Sequence, residues 1–242
     1  ATVHAKNTLM AGFTTARDLG TEGAGYSDVA IKRAINEGII PGPRLMVAGR
    51  AIVSTGSYGP KGYDLDQEIM LGAEPADGND LIRVVRDQIG KGADFIKIYA
   101  DYRWGINGED QPSFTLEELK MINEVTRSSG RDMVCHAKSK EAIKRAVLGG
   151  AVTIEHGDFI DVELGKLMKE HNVTYIPTIS AVDVISQYRG WQKGKAPEPA
   201  NVTNKKKSFK EAIASGVSIG MGGDVGVYPH GENALEMELM VE

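Results

Sequence analysis

The chain has 242 residues, 41% of them hydrophobic, a formal net charge of −5 and a single cysteine, Cys135. This length accommodates one barrel or doubly wound domain with a sizeable core. The mildly acidic balance gives no electrostatic footprint for nucleic acid or anionic lipid, no apolar run approaches the ~18 residues of a membrane span, and one cysteine excludes an internal disulfide framework while leaving the compartment open.

In chain order, residues 3–10 read as a helix, and short apolar runs bounded by Gly, Asp or Ser predict strands at 13–18, 44–52, 95–100, 133–137, 153–156, 174–179 and 218–221. Helix-like stretches with apolar residues three and four apart lie between them. The clearest is 115–128, where Leu116, Leu119, Ile122 and Val125 mark one face and Thr115 with Glu118 forms a capping box. Gly38, Gly92, Gly130, Gly150, Asn172 and Gly216 stand where these helices end, each a residue that tolerates the left-handed backbone of a helix stop. A repeated helix–stop–strand unit predicts a parallel sheet, because parallel neighbours need a helical crossover.

An open doubly wound sheet and a closed (β/α)8 barrel both fit that pattern. The open sheet would carry a Gly-rich phosphate turn, and Gly56-Ser57-Tyr58-Gly59 has neither the spacing nor the following helix. Seven similar units favour an α/β chain of the (β/α)8 TIM type, as one domain over residues 1–242. Two longer connections, 54–79 and 189–204, follow strands and so fall on the face where barrels build active sites. Lys205, Lys206 and Lys207 read as a solvated helix start, and the triplets at Asn172 and Asn201 match the glycosylation pattern that chance often produces.

Polar residues interrupt the strand ends. Lys97 lies inside Phe95-Ile96-Lys97-Ile98-Tyr99, a run that otherwise reads as a fully buried parallel strand, and alternation puts Phe95, Lys97 and Tyr99 on one face. A buried ammonium must be neutralised, paired or modified. His136, His156 and Asp224 close three further strands. Each has an ordinary explanation, since a strand-end His can be a hydrogen-bonded core residue, Asp224 a helix cap and Lys97 a snorkelling side chain. Four at equivalent places point to a site, and imidazoles with a carboxylate suit Zn²⁺ and related ions. His4 and His171 show no such placement and read as structural.

The segments Ala11-Gly12-Phe13-Thr14-Thr15-Ala16-Arg17-Asp18-Leu19-Gly20, Asp94-Phe95-Ile96-Lys97-Ile98-Tyr99, His136-Ala137, Ile154-Glu155-His156-Gly157, Gly222-Gly223-Asp224 and Pro229-His230-Gly231-Glu232-Asn233 resemble the amidohydrolase superfamily, in its imidazolonepropionase-like and Xaa-Pro or Xaa-Arg dipeptidase-like branch. The resemblance implies a CO₂-derived carbamate on Lys97 bridging two divalent ions, with His136 and His156 on the second ion. Asp224 would bind the first ion or shuttle the proton during hydrolysis of a C–N amide bond. The expected substrate is a small molecule, a dipeptide or N-acyl amino acid, with Tyr58, Tyr99, Arg103, Tyr228 and His230 as contacts; an arginine or tyrosine there would bind a carboxylate. A homo-oligomer is compatible with this reading. Where the branch has Gly-Gly-His-Gly, this chain has Thr55-Gly56-Ser57-Tyr58-Gly59, and the superfamily's first-strand His-x-His does not occur. The expectation is therefore a barrel lacking its first strand and flanking β-sandwich, with unpaired strand edges and low stability on its own. Two other readings stand beside it: a Schiff-base aldolase using a desolvated Lys97, and a non-catalytic barrel fragment that binds a small molecule.

Overall fold

A computed structural model describes residues 1–59, 64, 66–67 and 72–242. In chain order its elements are α1 (Thr2–Met10), β1 (Thr15–Asp18), α2 (Ser27–Asn36), β2 (Arg44–Val47), β3 (Ile52–Val53), β4 (Glu74–Pro75), α3 (Asp80–Gly90), β5 (Ile96–Tyr99), β6 (Asp101–Tyr102), β7 (Gln111–Pro112), α4 (Leu116–Ser128), β8 (Met133–Ala137), α5 (Lys140–Leu148), β9 (Thr153–His156), α6 (Val162–Glu170), β10 (Thr174–Ile176), α7 (Ile179–Tyr188), α8 (Ala200–Ser215) and α9 (Leu235–Val241). All six expected helix stops adopt positive φ, from 56° at Asn172 to 104° at Gly92. The capping box is complete, with the Thr115 side chain accepting from the Glu118 N–H and the Glu118 carboxylate accepting from the Thr115 N–H.

The strands build a parallel wall with helices outside it, the α/β TIM-type arrangement expected. β1 pairs with β2, and the order β10-β9-β8-β5-β3-β4 forms a second, six-stranded sheet. Asp94 joins the two: its N–H donates to the Val47 carbonyl at 2.7 Å and its carboxylate accepts the Val47 N–H at 2.8 Å. Alternation then sorts the side chains. Ile96, Ile98, Cys135, Ala137 and Ile154 face the helices in the main core with Leu119, Ile122, Ile143 and Met168, whereas Phe95 and Val134 pack inside the wall with Ala48.

Three predicted strands are corrected. The 44–52 run divides into β2 and β3, because Gly49 takes φ 72° and lets the chain change direction. The 174–179 run stops at Ile176, since Thr178 turns left-handed at φ 50° and α7 begins at Ile179. The 218–221 run is reduced to one bridge, Ile219 with Tyr175, flanked by the hydrogen bonds Tyr175 N–H to Ser218 and Gly220 N–H to Tyr175, both 2.8 Å. It passes so close to β10 that a Cβ at Gly220 would stand 2.5 Å from Ile176 Cδ1, and one at Gly222 2.6 Å from Ile176 Cγ2. The connection 54–79 contains β4, paired in parallel with β3; its residues 60–63, 65 and 68–71 lie outside the described residues. Among the described residues no helix is long and apolar enough to cross a membrane.

Candidate active site

Strand register brings the first members of the site together. Lys97 is the Cα partner of Val134, Tyr99 of His136, and His136 in turn of Glu155. Paired residues share a face, so Lys97, Tyr99, His136 and Glu155 all project into the wall's interior, as alternation predicted for Lys97. Lys97 is 3% exposed and Glu155 1%. Burial drives the Lys97 amine below its ordinary range, against the opposing pull of Glu155 and Asp224. Tyr99 stacks on the His136 ring at 4.6 Å between centroids.

His156 reaches the same place by a different route. Its Cα partner is Ala137, which faces the helices, so regular alternation would send His156 outward. Instead its φ is 72°, and the imidazole lies 4.5 Å from that of His136, edge to face. Thr178 Oγ1 bonds its Nδ1 at 2.8 Å. Burial, then the neighbouring His136 and Lys97, hold its pKa well below the usual histidine range. Asp224 is also left-handed, at φ 60°, and burial raises its carboxyl pKa against the opposing pull of Lys97. Non-glycine residues in this region carry strain that concentrates at functional sites; here His156, Thr178 and Asp224 are three of the five in the described chain.

The substrate candidates separate. Tyr58 and Tyr99 both donate their hydroxyls to Glu22, at 3.3 and 2.6 Å. Arg103 is exposed just beyond β6. Tyr228 is buried, and its hydroxyl donates to Ser180 Oγ at 3.1 Å. His230 is drawn to α1, where it stacks on His4 at 4.4 Å and meets Thr8 Oγ1 at 3.3 Å. His4, read as structural from the sequence, is thus the partner of a predicted contact.

A sequence model of the amidohydrolase family matches residues 1–242, the whole chain. The chain belongs to the amidohydrolase family. Ochratoxinase of Aspergillus niger is 32% identical over 261 residues, a match covering 97% of this amidohydrolase chain and 52% of the relative. Among solved structures, a Xaa-Pro dipeptidase with methionine in its active site superposes with a TM-score of 0.87 at 32% identity, covering 99% of this chain and 62% of the other. A. niger ochratoxinase gives 0.79 at 31%, covering 100% and 58%. A prolidase complexed with N-methylphosphonate-L-proline gives 0.76 at 29%, covering 97% and 59%. The chain spans about half the length of the ochratoxinase it matches.

Family members generally use divalent metals, and the donor set of this amidohydrolase fits one. His156 spends Nδ1 on Thr178, which leaves Nε2 for a ligand. His136 Nε2 and Asp101 Oδ1 are buried, 3.3 Å apart, and neither has a hydrogen bond; a carboxylate beside one ring nitrogen leaves the other, Nδ1, for a metal. Among the described residues no three His, Cys, Asp or Glu side chains form a metal-holding group by themselves.

Several further residues support this site. Asp101 is wholly buried and holds the turn that leads into α5, its Oδ2 accepting the N–H groups of Lys138 and Ser139 at 2.9 and 2.6 Å. Glu236 of α9 caps α7, accepting from the Ile179 and Ser180 N–H groups at 2.9 and 2.8 Å and from Ser180 Oγ at 2.7 Å. Lys205, expected at a solvated helix start, is fully buried inside α8. A signal existed for it: Val202, Lys205, Phe209 and Ala212 follow helical spacing along one face. For Glu236, 56 residues from Ser180, no local signal exists.

Proposed function

We propose that this chain carries the active-site barrel of a divalent-metal-dependent hydrolase that cleaves a C–N amide bond in a dipeptide or N-acyl amino acid. The observation that carries the reading is the meeting of Lys97, His136, His156 and Asp224 at one end of the wall, the last two held there by left-handed backbone. Family membership supports amide hydrolysis, and the Xaa-Pro dipeptidase and ochratoxinase neighbours support the substrate class.

Lys97, His136 and His156 would hold the ions, with Asp224 beside them. When bound, divalent ions, zinc by the preference of imidazole donors, supply Lewis-acid polarisation of the scissile carbonyl and acidify the attacking water. The protein contributes the rest. Desolvation keeps the Lys97 amine unprotonated more readily than a surface lysine, and a free amine adds to CO₂: the Nζ–C bond forms, one proton leaves, and an anionic oxygen ligand replaces a costly buried cation. Asp224, with its carboxyl pKa raised by burial, accepts the proton of the attacking water and returns it to the leaving amine nitrogen. Arg103, exposed near the mouth, suits a substrate carboxylate.

Metal analysis of the full-length protein purified with zinc and isotope-labelled bicarbonate tests this reading. Bound zinc with a labelled carbamate on Lys97 is the expected result; metal-free protein with an unmodified Lys97 under those conditions refutes it. A desolvated lysine also suits Schiff-base chemistry, and borohydride trapping of a carbonyl substrate on Lys97, without chelator sensitivity, would establish that alternative.

A further inference from the structure

Lys205 is fully buried on α8, behind the candidate site. Its Nζ donates to the His156 backbone carbonyl and, at 2.8 Å, to Asp158 Oδ1. It stands 5.9 Å from the centre of the Tyr175 ring, and the Tyr175 hydroxyl donates to the same His156 carbonyl at 2.9 Å. Asp158 continues the network: its Oδ2 lies 3.5 Å from Lys138 Nζ, which bonds Asp110 at 3.0 Å. Burial pushes the Asp158 carboxyl pKa up, but Lys205 and Lys138 outweigh it and leave it below the ordinary range.

Stability alone is a weak reason for this arrangement. Replacing a buried ion pair by apolar side chains of similar volume is often neutral or stabilising, and an apolar residue at 205 would complete the face formed by Val202, Phe209 and Ala212. The location offers a better one. His156 is the residue whose regular strand geometry would aim it at the helices, and a left-handed non-glycine residue is strained and persists only where its surroundings over-determine it. Two donors from two different elements, Lys205 on α8 and Tyr175 on β10, converge on the carbonyl of that one residue.

We propose that Lys205 is a positioning residue for His156, which together with Tyr175 clamps the His156 carbonyl and so keeps the imidazole turned into the wall beside His136. The inference rests on the metal-binding reading above. Lys205 itself touches neither substrate nor ion; its effect passes through the His156 backbone.

The test is zinc affinity in the full-length protein, measured by competition with a chromophoric chelator, alongside thermal melting of the metal-free form. Lys205→Met is expected to weaken zinc binding about 10- to 100-fold, the usual effect of losing an outer partner of a metal ligand, while metal-free protein still melts cooperatively. Unchanged zinc affinity, with or without a lower melting temperature, reduces Lys205 to a packing role and overturns the proposal. Should Lys205→Met fail to fold, Tyr175→Phe decides, since it keeps the ring and removes the second donor: weaker zinc binding is expected, and unchanged affinity overturns the clamp. Wild-type protein that takes up no zinc defeats the metal reading itself, a result distinct from a variant that binds zinc as well as wild type.

Discussion

Tyr99 donates its hydroxyl to Glu22 Oε1 at 2.6 Å while its ring stacks on His136 at 4.6 Å. A side chain two residues from Lys97 therefore ties the loop after β1 to the imidazole pair. Tyr58 reaches the other oxygen of the same carboxylate at 3.3 Å, and burial followed by the Glu22 charge holds the Tyr99 hydroxyl pKa well above its ordinary value. A hydrogen bond to an ionised partner contributes about 1.5–3 kcal/mol, less where the partner is exposed as Glu22 is. In a double-mutant cycle of Tyr99→Phe with Glu22→Gln, urea melts should show a coupling of about 1 kcal/mol. Strictly additive single and double variants would show that the contact contributes nothing.

Lys97 sets function against stability. Burial lowers its folded pKa, so between that value and the unfolded 10.5 the unfolded chain binds more protons than the folded one. Stability of the metal-free, carbamate-free protein should then rise with pH across that window. Lys97→Met removes both the desolvated amine and the ligand. We expect it to abolish turnover, flatten that pH dependence and leave metal-free protein at least as stable as wild type at neutral pH. A variant less stable at neutral pH, with the slope retained, would contradict the assignment.

Asp224 must be ionised to accept a proton, and its carboxyl pKa is raised from the usual 3.8 by burial. Activity should therefore climb with pH through a limb displaced above that of an ordinary aspartate. Asp224→Asn should cut kcat about 10²- to 10⁴-fold, the range for removing a positioned acid–base group, with a smaller effect on KM. A pH–rate profile of residual activity that keeps the same acidic limb would assign the limb to another group.

Asp18, at the end of β1, offers a test remote from metal chemistry. Burial foremost, with a smaller push from Asp28, raises its carboxyl pKa to about 6, against the Gly20 N–H bond that lowers it. A carboxylate with a raised folded pKa holds its proton better in the folded state, so its ionisation costs stability as pH climbs from 3.8 to about 6, and the whole penalty applies above that. Asp18→Asn keeps an oxygen acceptor for Gly20. It should match wild type near pH 4 and exceed it at pH 7 by about 1–3 kcal/mol, measured as denaturation midpoints. Equal stability at both pH values would refute the shift.

The sequence by itself determined what is local. Six glycines and asparagines that favour positive φ end six helices, Thr115 and Glu118 cap α4, and period-two alternation aims Lys97 inward, because backbone preference and side-chain period are properties of adjacent residues. The same local rules misplace His156, which alternation would turn outward, and they cannot pair Tyr99 with Glu22, Ser180 with Glu236 or Lys205 with the His156 carbonyl. Those choices belong to the tertiary structure. A left-handed residue at a strand end, or an ammonium inside a helix face, is unfavourable taken alone and persists only because donors and acceptors from distant segments converge on it.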